Sequence, residues 1–343
     1  MSAAPRVSVI IPMRNESGWI ERCLGSVLNQ DYPPDRFEVL VVDGMSDDGS
    51  YENVLEMSAR ETRLRVLRNP ARIVPSSLNV AIEAARGDVI ARVDAHTTLE
   101  RDYLSAGVEL LDRSGADNVG GPMVSIGGGA TGDAIATAMR SRFGIGAYFH
   151  FADDECEVDT VYMGMWPRDV FTRVGLFDEE LVRNQDDEFN YRIRKTGGRI
   201  VVSPRMRSRY QNRQSWSALA RQFYQYGLWK VRVLQKHPGQ MSMRHFVPPA
   251  FDLAIIVGAM FGGTRPAALV SLAVYAMLMA VVAAREARGM AAAARVWLAL
   301  VVIHHAWAAG FLVGLVRFAG RWFKPERPAR RLAGGLAGGM ESR

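Results

Sequence analysis

Asp94 and His96 stand two positions apart where an apolar, β-branched run, Val89-Ile90-Ala91-Arg92-Val93, breaks off. Side chains two apart on an extended backbone point the same way, so a carboxylate and an imidazole converge there if the strand geometry persists. That donor pair suits a divalent cation; the competing reading is a strand end closed by a helix-capping aspartate. Further acids gather in Asp43-Gly44-Met45-Ser46-Asp47-Asp48-Gly49-Ser50 and in Asn184-Gln185-Asp186-Asp187-Glu188-Phe189-Asn190. The second stretch reads as a helix with acids in its first turn, Arg192, Arg194 and Lys195 in its last, and a Gly197-Gly198 stop. Dipole matching explains all of that without any chemistry. An aspartate at such a helix start can also be held rigidly with one side open, which suits general-base work on a hydroxyl.

A scaffold must bring positions 43, 94 and 186 together. Apolar periodicity predicts strands over 7–11 (closed by Pro12), 37–42, 64–67 and 89–93, alternating with helices over 18–29, 51–60 and 75–85. Such alternation means parallel strands joined by right-handed crossovers, with helices on both faces. Ligands then bind beyond the carboxyl ends of the strands, the edge that receives the loops 12–17, 43–50 and 94–98. Next come a helix over 99–112, a strand over 118–124 and a glycine-rich stretch, 125–158, with a helix around 133–143. Part of that stretch is expected to be mobile, either as a loop closing over a ligand or as a surface insertion. A strand over 159–163, a short helix over 168–174, the acid-led helix and a strand over 200–203 complete this part. No Gly-x-Gly-x-x-Gly or Walker pattern follows the first strand, and glycines 127–129 open no strand-to-helix phosphate turn. Nicotinamide and P-loop chemistry are therefore disfavoured.

The 343 residues allow one sizeable globular domain plus something extra, since 247–316 is nearly uncharged. The net charge is +6, and much of the excess lies in 192–244 and 317–331, on either side of that apolar block. A basic border of this kind points to anionic lipid rather than nucleic acid, and no zinc-finger spacing, basic zipper or RNA-binding sheet motif is present. Cys23 and Cys156 form no metal spacing and fit a reducing compartment. The apolar run at 7–11 is too short for a signal-peptide core, so the globular part is expected on the cytoplasmic side.

Residues 215–235 read as a helix interleaving Trp216, Phe223, Tyr226 and Trp229 with Arg221, Lys230 and Arg232. It suits either a membrane interface or packing on the domain. Three apolar stretches follow, 247–262, 267–284 and 296–316; the first is short and carries Asp252 with two prolines. Three crossings would put the six Arg and Lys of 317–331 outside the cytoplasm, against the positive-inside rule. Two would keep that tail inside and place the three arginines of 285–295 outside. Both topologies stay open, and His304-His305 is an ionisable pair inside the last stretch.

Several segments, in this order, resemble the inverting family 2 glycosyltransferases, whose fold is of the GT-A type. They are Val7-Ser8-Val9-Ile10-Ile11-Pro12, Val41-Val42-Asp43-Gly44-Met45-Ser46-Asp47-Asp48-Gly49, Asp94-Ala95-His96, and Gln185-Asp186 followed by Arg192 and Gly197. The Arg-x-Asp-Ala-His-Thr string, the Asp-Asp-Glu-Phe-Asn helix and the Tyr-Gly-x-x-Lys segment are similar in particular to the succinoglycan-biosynthesis, ExoA-like branch. The likeness covers residues 6–235 and extends to an apolar tail. It implies an α/β fold, a Rossmann-like, mostly parallel sheet with helices on both faces, followed by C-terminal transmembrane helices. The expected organisation is a catalytic domain over 1–235, a linker over 236–246, a membrane region over 247–316 and a basic, flexible tail over 317–343.

Residue by residue, the resemblance implies that Pro12, Asn15, Glu16, Asp43, Ser46, Arg72 and Asp94 hold a nucleotide, with Asp43 on its base. Asp94 and His96 would hold a divalent metal, Mn2+ or Mg2+, and Asp186 would be the catalytic base. Gly164, Trp166, Asp187 and Arg213 fall on the acceptor and phosphate side, with Trp166 either stacked on a sugar or buried as a core tryptophan. Two departures stand out: His96 occupies the place of the motif's second aspartate, and Gln185 that of the glutamate before the base. The implied protein is a membrane-anchored transferase moving a sugar from a nucleotide-diphosphate donor to a lipid-linked saccharide acceptor, in exopolysaccharide or cell-envelope glycan synthesis. It would act at a bacterial-type cytoplasmic membrane, facing the cytoplasm. The rivals are a processive polysaccharide synthase, whose Gln-x-x-Arg-Trp motif is missing, and a non-catalytic scaffold that keeps the sugar-nucleotide fold.

Overall fold

The computed structural model describes residues 6–144, 152–322 and 330–332. Four parallel strands, β1 (Val7–Met13), β2 (Phe37–Asp43), β3 (Leu64–Arg68) and β4 (Val89–Arg92), lie in the order β3-β2-β1-β4. β2 is buried at every position and β1 at all but one, which is why both read as unbroken apolar runs. Helices α1 (Ile20–Leu28), α2 (Ser50–Ser58) and α3 (Val74–Ala84) connect them. Alternate residues feed two cores, with Val9 and Ile11 on one face of the sheet and Ile10 on the other. β1 runs on through Pro12, where a stop was expected. Val93 N–H donates to the Ile10 carbonyl on the β4 side, and Pro12, two residues further, faces that same side after β4 has left the ladder. The missing proline N–H therefore forfeits no sheet hydrogen bond.

Beyond β4 the structure departs from the sequence expectation. After α4 (Tyr103–Ser114), the single strand expected over 118–124 is two, β6 (Asn118–Gly120) and β7 (Met123–Ile126). They part at Gly121, where a Cβ would lie 1.9 Å from the Met206 carbonyl oxygen. β6 stays in the main sheet, while β7 joins β5 (Thr97–Leu99) and β11 (Ser208–Gln211) in a second sheet, β5-β11-β7. The strand expected over 159–163 does not form. Met163 and Gly164 take left-handed conformations (φ 61° and 108°), which end any extended run, and pairing moves to β8 (Cys156–Glu157) and β9 (Met165–Pro167). With β10 (Ile200–Val202) the main sheet continues β4-β9-β6-β10-β8, and β9 is antiparallel to both of its neighbours. Helices α5 (Gly129–Arg140), α6 (Val170–Arg173) and α7 (Gln185–Lys195) complete this part. Residues 145–151, within the stretch expected to be mobile, lie outside the described residues.

Helix α8 (Trp216–Lys236) starts at Ser215, whose hydroxyl accepts from Ala218 N–H. Three apolar helices follow, α9 (Val247–Met260), α10 (Arg265–Glu286) and α11 (Met290–Arg317). Only α10 and α11, among the described residues, are long and apolar enough to cross a membrane. α9 has 14 residues and reaches about 21 Å, short of a hydrocarbon core of about 30 Å. α8 is clamped against α11: a Cβ on Gly227 would lie 2.1 Å from the Trp307 carbonyl oxygen, and one on Gly310 2.0 Å from that of Tyr224. Small residues on both helices let the two backbones touch. Across the expected linker, 236–246, His237 Nε2 lies 2.9 Å from Glu188 Oε1, and Gln240 Nε2 donates to the Asp187 carbonyl at 2.9 Å. The expected flexible tail also returns to the domain, where Leu176 N–H donates to the Arg330 carbonyl at 2.7 Å and Leu332 N–H to that of Phe171 at 3.2 Å. Residues 323–329 and 333–343 of that tail lie outside the described residues.

A side chain in the glycine seam has nowhere to go. Gly310→Leu should destabilise the detergent-solubilised protein by about 1–3 kcal/mol or more in thermal unfolding. Gly320→Ala, with open space around it, should leave the midpoint unchanged.

Candidate active site

The carboxyl edge of β1 and β2 is built by two loops that lace together. Asn15 and Met45 adopt left-handed conformations (φ 57° and 63°). Asn15 N–H donates to Ser46 Oγ at 2.9 Å, and the Asn15 amide exchanges hydrogen bonds with Asp47, giving at 2.8 Å and accepting at 3.1 Å. Glu16 N–H donates to Ser50 Oγ at 2.8 Å and Ser17 N–H to Asp48 Oδ2 at 3.0 Å. Much of the acid in this region therefore shapes the loops. Asp43, expected to hydrogen-bond a nucleotide base, is fully buried and accepts from the amides of Met45 and Ser46, each at 3.1 Å. Asp43 and Ser46 stand behind the wall of a cavity of about 1340 Å³, whereas Pro12, Asn15, Glu16, Arg72, Asp94 and His96 line it.

The centre of that cavity is organised by Arg92, the last residue of β4 and only 3% exposed. Its Nε donates to Asp94 Oδ1 at 2.9 Å and its Nη2 to Asp94 Oδ2 at 3.2 Å, a two-point fork on one carboxylate. Tyr162 O–H donates to Asp94 Oδ2 at 2.8 Å. The remaining nitrogen, Nη1, is buried, has no hydrogen-bond partner among the described residues, and lies 3.9 Å from Asp186 Oδ2. The two carboxyls respond in opposite directions. Burial pushes Asp94 up, but Arg92 and its hydrogen bonds hold it below the ordinary range, so it stays ionised. Burial also pushes Asp186 up; the more distant Arg92 pulls back less, Asp187 adds repulsion, and Asp186 ends above the ordinary range. Asp186 is held at the start of α7, where it accepts from Asp187 N–H at 2.9 Å. Asp187 itself is tied to Lys230 of α8, which together with its other partners holds it below the ordinary range against its burial.

His96 presents its ring edge-on to Tyr210, with centroids 5.0 Å apart, and its Nδ1 lies 3.0 Å from Glu16 Oε1. A carboxylate that takes the Nδ1 proton leaves Nε2 as the ligating nitrogen, the way metal-binding histidines are commonly oriented. Asp94 and His96 both line the cavity, but the extended run ends at Asp94, whose carbonyl accepts from Thr97 N–H at 2.9 Å. Both Asp94 oxygens are engaged by Arg92 and Tyr162, which leaves their free lone pairs and the imidazole as the donors open to a divalent cation. Among the described residues no group of three or more His, Cys, Asp or Glu side chains is placed to hold a metal. Asp94 and His96 would thus be two donors in a set completed by oxygens of a bound ligand.

Of the remaining candidates, Arg72 is left-handed (φ 61°), its carbonyl accepts from Arg14 Nη1 at 3.3 Å, and it lines the cavity. Arg213 lines the wall on the α8 side, its Nε donating to Gln222 Oε1 at 3.3 Å. Gly164 acts through its backbone: its carbonyl accepts from Arg92 N–H at 3.0 Å, and a Cβ there would sit 2.5 Å from the Trp166 ring. Trp166 is the core tryptophan of the two alternatives, 1% exposed and edge-on to Phe171, Phe177 and Phe189, so no face is open to a sugar. Arg92 and Lys230, which stand in the segments of resemblance without an expected role, and Tyr162 join the site only in the folded chain. An arginine inside an otherwise apolar strand was the available signal, because a buried guanidinium demands a partner. Arg92→Met should cost about 3–5 kcal/mol in thermal unfolding by stranding the Asp94 carboxylate. Adding Asp94→Asn should recover most of that loss; an undiminished cost of Arg92→Met in the Asp94→Asn background would refute the pairing.

Residues 8–175 match the family described as Glycosyl transferase family 2. Over 330 residues the chain is 29% identical to the succinoglycan biosynthesis protein ExoA of Rhizobium meliloti (strain 1021), covering 91% of this chain and 96% of that one. It is 28% identical over 238 residues to the dolichyl N-acetyl-alpha-D-glucosaminyl phosphate 3-beta-D-2,3-diacetamido-2,3-dideoxy-beta-D-glucuronosyltransferase of Methanococcus voltae, covering 67% of this chain and 74% of that one. Among solved structures, the mannosyltransferase PcManGT from Pyrobaculum calidifontis, in complex with GDP-Man and Mn2+, shares the fold with a TM-score of 0.61. That likeness spans 92% of this chain and 88% of the other at 20% identity, and it bears on the fold alone. With this fold, this edge of loops and acids, and a relative alike along almost its whole length, the chain is a glycosyltransferase whose residues 8–175 are a glycosyl transferase family 2 domain.

Proposed function

We propose that the chain transfers a sugar, with inversion, from a nucleotide-diphosphate donor to a lipid-linked saccharide acceptor, with Asp186 as general base. One observation carries this reading: Asp94 and Asp186 face a single cavity with Arg92 between them, one carboxyl held below and the other above the ordinary range. The donor's nucleotide would lie along Pro12, Asn15, Glu16 and Arg72, over the loop that Asp43 and Ser46 brace from behind. Asp186 accepts the proton of the acceptor hydroxyl while that oxygen attacks the anomeric carbon on the face opposite the diphosphate. The bond from the anomeric carbon to the phosphate oxygen breaks, and its electron pair leaves on the diphosphate. A single displacement inverts the centre and needs no enzyme nucleophile. Asp94 and His96 would hold a divalent cation, Mn2+ or Mg2+, which would supply Lewis-acid neutralisation of the leaving diphosphate. Arg213 and the Asp187–Lys230 pair line the acceptor side.

The lipid-linked acceptor is supported by the α10–α11 hairpin and by the printed name of the Methanococcus voltae relative, which describes a dolichyl phosphate-linked sugar. Two crossings agree with the return of Arg330 to the Leu176 amide, since the tail and the catalytic domain then share one side. With the basic tail on that side, the domain faces the cytoplasm. The name of the Rhizobium relative favours exopolysaccharide or envelope glycan synthesis at a bacterial-type cytoplasmic membrane. A non-catalytic scaffold would have no use for two carboxyls split by a buried arginine.

Asp186→Asn should lower transfer by about 10²–10⁴-fold or more while donor binding, read by thermal shift, stays within a few-fold. Because the base must be deprotonated, kcat/KM should fall on the acid side with an apparent pKa above the ordinary 3.8 of an aspartate. An acid limb at or below that value would remove Asp186 from the base role. Chelation by EDTA should abolish transfer and added Mn2+ restore it; activity untouched by EDTA would dismiss the Asp94–His96 cation.

A further inference from the structure

The cavity does not end at Asp186. It continues past Lys230 and His245 to Asp252, Tyr275, His304 and His305 of α9, α10 and α11. Away from the helix ends, these four carry the ionisable side chains of three otherwise apolar helices, and they meet at one place. His305 Nδ1 lies 2.8 Å from Asp252 Oδ1, and Tyr275 O–H donates to His304 Nδ1 at 2.9 Å. His304 Nε2–H donates in turn to the Phe143 carbonyl at 2.6 Å, which ties that histidine to the catalytic domain. Tyr275 also stands edge-on to His305, with centroids 5.3 Å apart.

Ionisable groups in a membrane-spanning bundle are costly and gather where they face one another or a cavity. Here they do both. The Asp252 and His305 side chains keep 17% and 35% of their exposure, and that exposure opens on the cavity rather than being sealed between helices. Asp252 engages His305 at Nδ1, and among the described residues His305 Nε2 has no hydrogen bond. The cavity as a whole is cationic: nine Lys and Arg side chains line it against five Asp and Glu. His245, stacked on Trp307 with centroids 6.2 Å apart, is part of its wall. Leu253 and Ile256, on the same helix as Asp252, and Leu269 and Val270 of α10 are exposed apolar side chains.

We propose that the Asp252–His305 pair binds the phosphate through which the acceptor's saccharide is joined to its lipid. His305 Nε2–H donates to a phosphate oxygen, and Asp252 steadies the imidazolium from behind. The saccharide then extends towards Asp186, and the hydrocarbon chain runs out over the apolar faces of α9 and α10. The Tyr275–His304–Phe143 chain holds the catalytic domain and the helices in register around it. This inference rests on the lipid-linked acceptor proposed above and names the residues that hold its charged group.

The test uses the full-length protein in detergent micelles and three probes: farnesyl phosphate, farnesol and inorganic phosphate. Wild type should bind farnesyl phosphate about ten-fold or more tighter than farnesol, the gain of one charge-assisted contact, with inorganic phosphate giving no saturable shift. His305→Gln and the isosteric Asp252→Asn should each remove most of that preference while binding of UDP and GDP, measured alongside, stays within about two-fold. Equal affinity of wild type for farnesyl phosphate and farnesol would overturn the proposal, leaving only an apolar groove. So would a preference that survives both substitutions, or inorganic phosphate competing fully, which would mark a general anion site. Turnover of nucleotide sugars is read separately. Phosphate-selective binding through His305 without any sugar transfer would uphold this site and sink the transferase reading.

Discussion

One buried guanidinium holds the site together. A charge as enclosed as that of Arg92 is tolerable only when it is paired, and its partners come from three directions. Asp94 lies two residues ahead on the same strand end, Tyr162 reinforces it from the loop before β9, and Asp186 faces it across the cavity from the start of α7. The Arg92 backbone is fixed as well, through the Gly164 carbonyl. Moving any of these elements would expose or strand a charge. The arginine thereby sets the distance between a carboxyl held below the ordinary range and one raised above it.

The support for α7 follows from the same demand for precision. Phe189, one turn into the helix, packs with Trp166, Phe171 and Phe177. Asn190 reaches across to Asn118 at 2.7 Å and to Thr160 at 2.8 Å. Glu188 is held by Arg192 at 2.7 Å and by His237 at 2.9 Å. A carboxylate whose helix is fixed by core packing and buried hydrogen bonds keeps its geometry between turnovers. Trp166, read from the sequence as a sugar platform or a core residue, serves the site by filling the space beneath α7.

Membrane and catalytic parts are joined through α8. One of its faces supplies Lys230 to Asp187, and another meets α11 along glycines 227, 310 and 314. Arg232 and Lys236 tie its end to Glu180 at 2.8 Å each. The apolar helices are therefore part of the wall of the cavity rather than a detached anchor. That continuity puts residues of the three apolar helices and Asp186 on the wall of one cavity.

Much of the first half of the fold was legible in the chain because its strands are buried on both faces, and such strands announce themselves as continuous apolar runs. The second sheet was not. β5, β7 and β11 are three or four residues long, too short for a period to show, and the break at Gly121 depends on Met206, which is remote in sequence. The shift of pairing from 159–163 to 165–167 likewise follows from two left-handed residues that no local propensity demanded. By itself the sequence determined which residue types could do chemistry and that Asp94, His96 and the 43–50 loop share a sheet edge, because strand alternation and strand ends are local properties. Only the tertiary structure decided which carboxyl is held below the ordinary range and which above it, that Asp43 accepts from the amides of its own loop, and that His305 and Asp252 share a cavity with Asp186. Burial and Coulomb energy depend on distance through space, and Arg92 and Asp186, far apart along the chain, become neighbours only when it folds.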